Sequence, residues 1–161
     1  MTRLWIAALV AFAVDQVSKY WVVWGLNLIE AQRIDVLPPY LVFKMGWNRG
    51  INFGLLDGHS DLSRWAFVVL AVAISVLLVS WIRREAATPV VAVSAGLVVG
   101  GAMGNAVDRA IHGAVADFLN MSCCGIYNPY SFNVADIFVF AGAFGLILFT
   151  GKPRDDARDT G

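Results

Sequence analysis

Four long apolar stretches dominate the sequence and restrict what the chain can fold into: residues 4–24, 65–82, 89–108 and 132–150. Each is close to the roughly 20 apolar residues that an α-helix needs to cross a bilayer. The composition agrees, since 58% of the residues are hydrophobic and only 15% are charged. We therefore predict an all-α membrane protein with four transmembrane helices.

The first stretch has a second interpretation. Arg3, a short apolar run and Ala-Phe-Ala at residues 11–13 resemble a secretory signal with its small-residue cleavage site. An uncleaved helix is favoured, because it would place the aromatic residues of segment 20–24 in the membrane interface.

Basic residues near the helix ends indicate the orientation. The short connection after the second stretch carries Arg83 and Arg84, and short loops rich in positive charge stay in the cytoplasm. Both termini are then cytoplasmic, and the connections 25–64 and 110–131 lie outside the cell membrane.

Two parts of the chain outside the apolar stretches have a recognisable pattern. Short apolar runs at residues 34–37 and 40–45, separated by two prolines, predict strands at the outer membrane surface. Residues 152–161 are charged and lack large apolar side chains, so we predict a disordered cytoplasmic tail after a membrane domain of residues 1–151.

Gly96, Gly100 and Gly104 recur at every fourth position of the third stretch. This spacing leaves one helix face without side chains and favours close approach of a neighbouring helix. A catalytic interpretation applies to Gly104 alone, because it borders a polar cluster.

Ionisable side chains inside a membrane are costly, so each one is a candidate for function. They occur here in sets spaced three or four residues apart, which places each set on one helix face. With cytoplasmic termini, all sets lie at the outer leaflet. The sets are Asp15 with Lys19, then Asn105 with Asp108 and Arg109, then Asn133 with Asp136.

Structural interpretations of these residues stay open. Asp15 and Lys19 could be a mutually neutralising packing pair, and Lys19 and Arg109 could extend to the membrane surface from helix ends. That explanation suits Asp136 less well. Asp117 lies between apolar neighbours in the second outer connection and on its own resembles an ordinary loop aspartate.

Two carboxylates in a partly desolvated place share one proton over a wide pH range. The ionised member can accept a proton from water while the protonated member polarises a peptide carbonyl, as in aspartic proteases.

Other catalytic schemes suit the sequence less well. The two histidines, His59 and His112, do not form a two-histidine zinc motif. Ser18 and Lys19 point in different directions from a helix, which is poor geometry for a serine–lysine pair. The adjacent cysteines at 123 and 124 have only His112 as a candidate base.

Five motifs in the chain resemble those of the lipoprotein signal peptidase family, also called bacterial signal peptidase II. Members of this family are intramembrane aspartic proteases. The resemblance covers most of the chain. The motifs are Asp-Gln-Val-Ser-Lys at residues 15–19, Asn-Arg-Gly-Ile-Asn-Phe-Gly at 48–54, Gly-Asn-Ala-Val-Asp-Arg at 104–109, Val-Ala-Asp-Phe at 115–118 and Phe-Asn-Val-Ala-Asp at 132–136.

The resemblance implies roles for individual residues. Asp117 and Asp136 would be the catalytic dyad, with Asn105 and Asn133 orienting them through hydrogen bonds. It also implies a small extracytoplasmic β-cradle and a surface-lying helix, which fit residues 34–45 and 51–58. Further residues would shape or support the site: Asp15, Lys19, Asn48, Gly50, Asp108 and Arg109.

The implied reaction is hydrolysis of the peptide bond before an S-diacylglyceryl cysteine in a prolipoprotein, at the outer face of the bacterial inner membrane. It implies no cofactor and no metal, with membrane lipid around the enzyme.

Other functional classes were weighed against this one. A small proton-coupled transporter is the main alternative, although the acids crowd one leaflet instead of the midplane. A purely structural membrane subunit would not need so many ionisable helix ends. The formal net charge of zero argues against nucleic-acid binding.

Overall fold

The computed structural model describes residues 1–50, 61–85 and 87–150. In this part of the chain, four helices of 16 or more residues lie beside a small sheet: α1 Thr2–Lys19, α3 Asp61–Arg84, α4 Pro89–His112 and α5 Val134–Phe149. Among the described residues, three spans are long and apolar enough to cross a membrane: Thr2–Gly25, Asp61–Arg84 and Pro89–His112. The prediction of a mostly helical membrane protein is confirmed, and the fourth helix is shorter, at 16 residues.

Helix α1 does not end at Lys19 but continues as a π-helix, Tyr20–Gly25. A short helix α2, Leu28–Ala31, follows at once. Tyr20 and Trp21 are exposed, while Val22 and Val23 are buried under the sheet. The segment therefore presents aromatic rings on one side and core residues on the other, as an interfacial segment requires.

Helix α4 lies at the centre of the bundle and contacts all three other long helices. Both ends of α4 are capped. The Thr88 hydroxyl accepts a hydrogen bond from Val91 N at 3.4 Å at the N-terminus, and Gly113, with φ 77°, ends the helix at its C-terminus. A side chain at Gly96 or Gly100 would collide with the backbone of α1 at Leu4 or Ala8. The packing interpretation of the glycine stripe is thus confirmed at these two positions.

Small residues also bring α5 close to α4. A Cβ atom at Gly101 would lie 2.5 Å from the carbonyl oxygen of Ala135, and one at Gly142 would lie 2.5 Å from that of Ser94. Helix α4 therefore touches α1 and α5 with almost no intervening side chains, which fixes the relative positions of their polar residues.

Three antiparallel strands in the order β1-β2-β3 form the sheet: β1 Arg33–Leu37, β2 Leu41–Asn48 and β3 Val115–Asn120. The first two correspond to the strands predicted at residues 34–37 and 40–45. The third lies in a region that was predicted as a loop. Its residues are almost all buried, and a short buried strand lacks the alternation that identifies half-buried strands.

Phe118 joins the sheet to the helices. Its ring is 1% exposed and meets Phe43 edge-on at 5.9 Å between centroids. Val23 and Leu28 complete this cluster from the segment after α1. The sheet is therefore anchored over the ends of α1 and α4, where β3 begins.

The surface-lying helix expected at residues 51–58 and the tail expected at residues 152–161 lie outside the described residues.

Candidate active site

The polar sets of the sequence meet at one end of the bundle, beside the sheet and away from the connection that carries Arg83 and Arg84. Helices α1, α4 and α5 contribute side chains from the helix bundle, and β2 and β3 contribute Asn48 and Asp117 from the sheet. Residues more than 100 positions apart are joined directly, as Asp15 and Ala135 are.

Asp136 is held by the first turn of α5. Asn133 caps this helix, because its side-chain oxygen accepts from Asp136 N at 3.1 Å while Asp136 Oδ2 accepts from Asn133 N at 3.1 Å. The second oxygen, Oδ1, accepts from Asn105 Nδ2 at 3.0 Å. A local capping box and one residue of α4 therefore fix the positions of both oxygens of the Asp136 carboxyl group.

Asp117 lies in β3 and is 5% exposed. Its Oδ1 accepts from Asn133 Nδ2 at 2.6 Å, and its Oδ2 accepts from Asn48 Nδ2 at 3.0 Å. Asn48 is itself oriented, since its Oδ1 accepts from Gly50 N at 2.9 Å. The Asn133 side chain thus contacts both aspartates, donating to one carboxylate and capping the helix that carries the other.

Burial raises the pKa of Asp117 to about 6. The hydrogen bonds from Asn133 and Asn48 act against burial, as does the positive charge of Lys19, whereas the charge of Asp136 raises the pKa further. A carboxyl group in this position holds its proton far more readily than an ordinary aspartate.

The raised pKa of Asp117 predicts that stability falls as pH rises. The folded state keeps this proton up to about pH 6, whereas the unfolded chain loses it near the ordinary aspartate pKa of 3.8. The stabilisation is therefore fully present below pH 3.8 and is lost as the pH rises through about 6. The free-energy difference is about 3 kcal/mol at most. In thermal unfolding at about pH 4.5 and about pH 7.5, Asp117→Asn should show a smaller fall in Tm than the wild type. An equal fall in both proteins would contradict the assigned pKa.

Lys19 lies below the two aspartates and is 3% exposed. Its ammonium lies 2.8 Å from Asp15 Oδ2 and 2.9 Å from Asp108 Oδ2, and it donates to Asn105 Oδ1 at 3.0 Å. Asp15 and Lys19 do form the ion pair that their spacing indicated. The pair is not isolated, however, because it connects to residues that contact Asp136.

A cleft of about 530 Å³ opens onto Asp117. Arg109 lines it, with its guanidinium 5.0 Å from the ring centroid of Phe67 and a hydrogen bond to Asn105 O at 3.4 Å. Gly50, with φ 99°, also lines the cleft, and a Cβ there would collide with the Phe67 ring. The cleft is large enough for a few residues of an extended peptide.

Sequence reasoning missed several residues of this cleft. Phe67, Trp47, Tyr130 and Ser131 line it together with Lys44. Only Trp47 offered a clue, because it precedes the motif that begins at Asn48. The others come from segments whose positions depend on tertiary packing.

Ser18 and His112, which the rival schemes invoke, do not line this cleft. The Ser18 hydroxyl donates to Asp15 O at 2.8 Å within its own helix. His112 stacks between Trp24 and Trp47, with centroid distances of 5.5 and 5.8 Å. Across the described ranges, no three histidine, cysteine or acidic residues are grouped so that they could hold a metal ion.

Cys123 and Cys124 are free and exposed in the connection after β3. A hydrogen bond involving Cys124 raises the pKa of the Cys123 thiol, which disfavours the nucleophilic thiolate. We predict that replacing both with serine, or alkylating them, leaves peptide cleavage within about twofold of the wild type. Loss of cleavage by the folded double variant would restore a thiol mechanism.

Comparison with known proteins gives a consistent result. The family model described as "Signal peptidase (SPase) II" matches residues 7–151. The chain is 43% identical to the lipoprotein signal peptidase of Methylorubrum extorquens (strain PA1), over 96% of this chain and 89% of that protein. It is 36% identical to the lipoprotein signal peptidase of Neisseria gonorrhoeae (strain ATCC 700825 / FA 1090), over 99% and 95%.

A solved structure has the same fold. It is a bacterial membrane enzyme obtained by the in meso method at 1.9 Å resolution, with a TM-score of 0.75 and 26% identity over 96% of this chain and 92% of that one. Together with a family match across residues 7–151, this shows that the chain belongs to the signal peptidase II family.

Proposed function

We propose that this protein removes the signal peptide from prolipoproteins by cleaving before a cysteine that carries a diacylglyceryl group, and that Asp117 and Asp136 perform the hydrolysis. Membership of the signal peptidase II family supports peptidase activity and this class of substrate. The aspartate mechanism and the point of cleavage are our proposal. The observation that carries it is the Asn133 side chain, which contacts both aspartates at once.

The arrangement can carry out both proton transfers of peptide hydrolysis. The pair holds one proton, so the ionised carboxylate takes a proton from the attacking water while the protonated one donates to the carbonyl oxygen. Water oxygen bonds to the carbonyl carbon, and a tetrahedral diol forms. Its C–N bond then breaks as the protonated carboxyl group gives its proton to the leaving nitrogen and the ionised one takes a proton from a diol hydroxyl, so the pair again holds one proton.

The surroundings support this division of labour. Asn133 and Asn48 donate to Asp117, and Asn105 donates to Asp136, so amide groups fix both carboxyl groups without adding charge. The raised pKa of Asp117, about 6, supports a pair that keeps one proton up to about pH 6.

We also propose four membrane crossings, with both termini in the cytoplasm. Helix α5 has 16 residues and is roughly 24 Å long, slightly less than the hydrocarbon core, at 1.5 Å per residue. Its first turn carries Asp136, so the dyad lies just below the outer membrane surface. A substrate could reach this depth with its acyl chains still in lipid.

The transporter alternative finds no support. The relatives are lipoprotein signal peptidases, and the buried acids lie at one end of the bundle instead of its middle. In the described part of the chain, the four long helices are joined through a central α4, without a second bundle against which a transporter could rock.

The direct experiment is to incubate the purified protein with a diacylglyceryl-modified prolipoprotein and weigh both products. We expect one cut, immediately before the modified cysteine. Products cut elsewhere, or no products from a folded enzyme, would contradict the proposal. A chelator added to the same reaction should not change the rate, because the proposed chemistry uses carboxyl groups alone.

A further inference from the structure

Three buried charges beneath the two aspartates have no part in the proton transfers proposed above. Asp15 is fully buried, and Lys19 and Asp108 are 3% and 4% exposed. The net charge of these three residues is negative, because one cation lies between two acids. A neutral packing pair would need only one acid. Buried charges are retained at high cost, so the second acid requires an explanation.

The two acids have matching contacts with the backbone. Asp15 Oδ1 accepts from Ala135 N at 2.9 Å, and Asp108 Oδ2 accepts from Ala116 N at 3.3 Å. Ala135 immediately precedes Asp136, and Ala116 immediately precedes Asp117. Each acid therefore holds the backbone N–H of the residue that precedes one of the two candidate catalytic residues.

Lys19 connects these two contacts. Its ammonium lies 2.8 Å from Asp15 Oδ2 and 2.9 Å from Asp108 Oδ2. Gln16 reinforces the connection, because its side-chain nitrogen donates to Asp15 Oδ2 and to Asp108 Oδ1, both at 3.1 Å. The start of α5 and the start of β3 are thereby joined through Lys19 and Gln16 on α1.

Lys19 also orients the amide group of Asn105. Since Lys19 donates to Asn105 Oδ1 at 3.0 Å, the Asn105 nitrogen is left to face Asp136 Oδ1 and donates to it at 3.0 Å. The opposite orientation of this amide would set two donors against each other at Lys19.

Gly104 makes room for the arrangement. A Cβ atom there would lie 2.5 Å from Asp15 Oδ2, the oxygen that contacts Lys19. The last glycine of the stripe thus serves the charged cluster as well as helix packing.

We propose that Lys19, Asp15 and Asp108 form a two-armed positioning clamp that sets the separation of Asp117 and Asp136 by holding the backbone N–H of the residue before each. None of the three is a catalytic residue in this account, since they act through the backbone and through Asn105. The inference rests on the proposed function, and it adds an origin for the geometry of the pair.

The test is the kinetics of Lys19→Met on the lipidated prolipoprotein. Displacement of reacting groups by about 1 Å can cost about 100-fold in rate, so we expect kcat to fall by about that factor. The cleft residues that bind the peptide are untouched, so KM should stay within about threefold. A smaller folded fraction would also lower apparent kcat at unchanged KM, so kcat is calculated per folded enzyme, with the folded fraction measured by thermal unfolding, and the pH profile separates the two explanations.

A pH profile supplies a second readout. The titratable groups that act on Asp117 from neighbouring elements are Lys19 on α1, Arg109 on α4 and Asp136 on α5. Lys19 lowers the pKa of Asp117, so its removal should raise that pKa and shift the alkaline limb of kcat to higher pH. Lower stability alone would not move this limb upward.

Ile82→Ala is the matched control. Ile82 is 4% exposed and packs with Leu4 and Val91 at the end of the bundle opposite the clamp, so its truncation should lower Tm. At a temperature where the variant is folded, its kcat and pH profile should match the wild type.

Asp108→Asn keeps the test decisive if Lys19→Met does not fold. The amide oxygen can still accept from Ala116 N, but the charge contact with Lys19 is lost. We expect kcat to fall about tenfold with KM preserved. Wild-type kcat and an unmoved pH profile in folded Lys19→Met, or in folded Asp108→Asn, would overturn the clamp. Failure of the wild type to cleave would instead overturn the proposed function.

Discussion

Asp117→Asn and Asp136→Asn should each reduce the rate of cleavage by at least about 1,000-fold, because an amide retains the shape of the carboxyl group but transfers no proton. An asparagine keeps the volume of each side chain and one acceptor oxygen for the neighbouring amides that hold it. The variants should therefore remain folded in the membrane. The measurement is the initial rate on the lipidated prolipoprotein, with thermal unfolding measured beside it.

Asp35→Asn makes the same chemical change outside the site. Asp35 lies on β1, half exposed, in an ion pair with Arg33 at 2.8 Å. This variant should cleave at the wild-type rate, since exposed ion pairs contribute little. The Asp117→Asn, Asp136→Asn double variant should be no slower than the single variants, because residues that act as one unit do not have additive effects. Wild-type turnover by either single variant would remove the aspartate pair from the mechanism.

A prolipoprotein without its diacylglyceryl group should be cleaved with kcat/KM at least about 100-fold lower. Each buried methylene contributes about 0.8 kcal/mol to membrane association, so the acyl chains hold the adjacent peptide bond at the depth of Asp136. The comparison uses one prolipoprotein with and without the modification on the same cysteine.

A third substrate separates anchoring from recognition. It carries a single straight alkyl chain on the cysteine, which anchors the peptide without the glyceryl group. If anchoring dominates, this substrate recovers much of the lost kcat/KM. Equal kcat/KM for the modified and unmodified peptides would contradict a site that selects lipidated substrates.

The helices and their polar faces could be predicted from the sequence because both depend on local spacing. Asn133 and Asp136 are three residues apart, and this spacing forms the capping box that holds Asp136. The glycine stripe of α4 likewise predicted a close helix contact, now located against Leu4 and Ala8 of α1. Residues 51–60 carry part of a family motif and lie outside the described residues, so the expected surface helix stays a prediction.

The long-range contacts could not be predicted from spacing. Asp117 resembled a loop aspartate because the strand that buries it has only six residues and pairs with a segment about 70 positions earlier. The contact of Asp15 with the backbone before Asp136 joins the first and last long helices. Neither contact can be predicted from local periodicity, and the assignment of Asp117 to the dyad came from the family resemblance.

The most direct test of the aspartate pair is a structure of the enzyme with a lipidated peptide in which a hydroxyl-bearing isostere replaces the scissile bond. A tetrahedral hydroxyl imitates the diol of the reaction and should bind where the reacting carbonyl would lie. We predict that this hydroxyl lies about 2.6–3.2 Å from carboxyl oxygens of both Asp117 and Asp136. A hydroxyl bound beside Cys123 or Ser18, or in contact with neither aspartate, would contradict it.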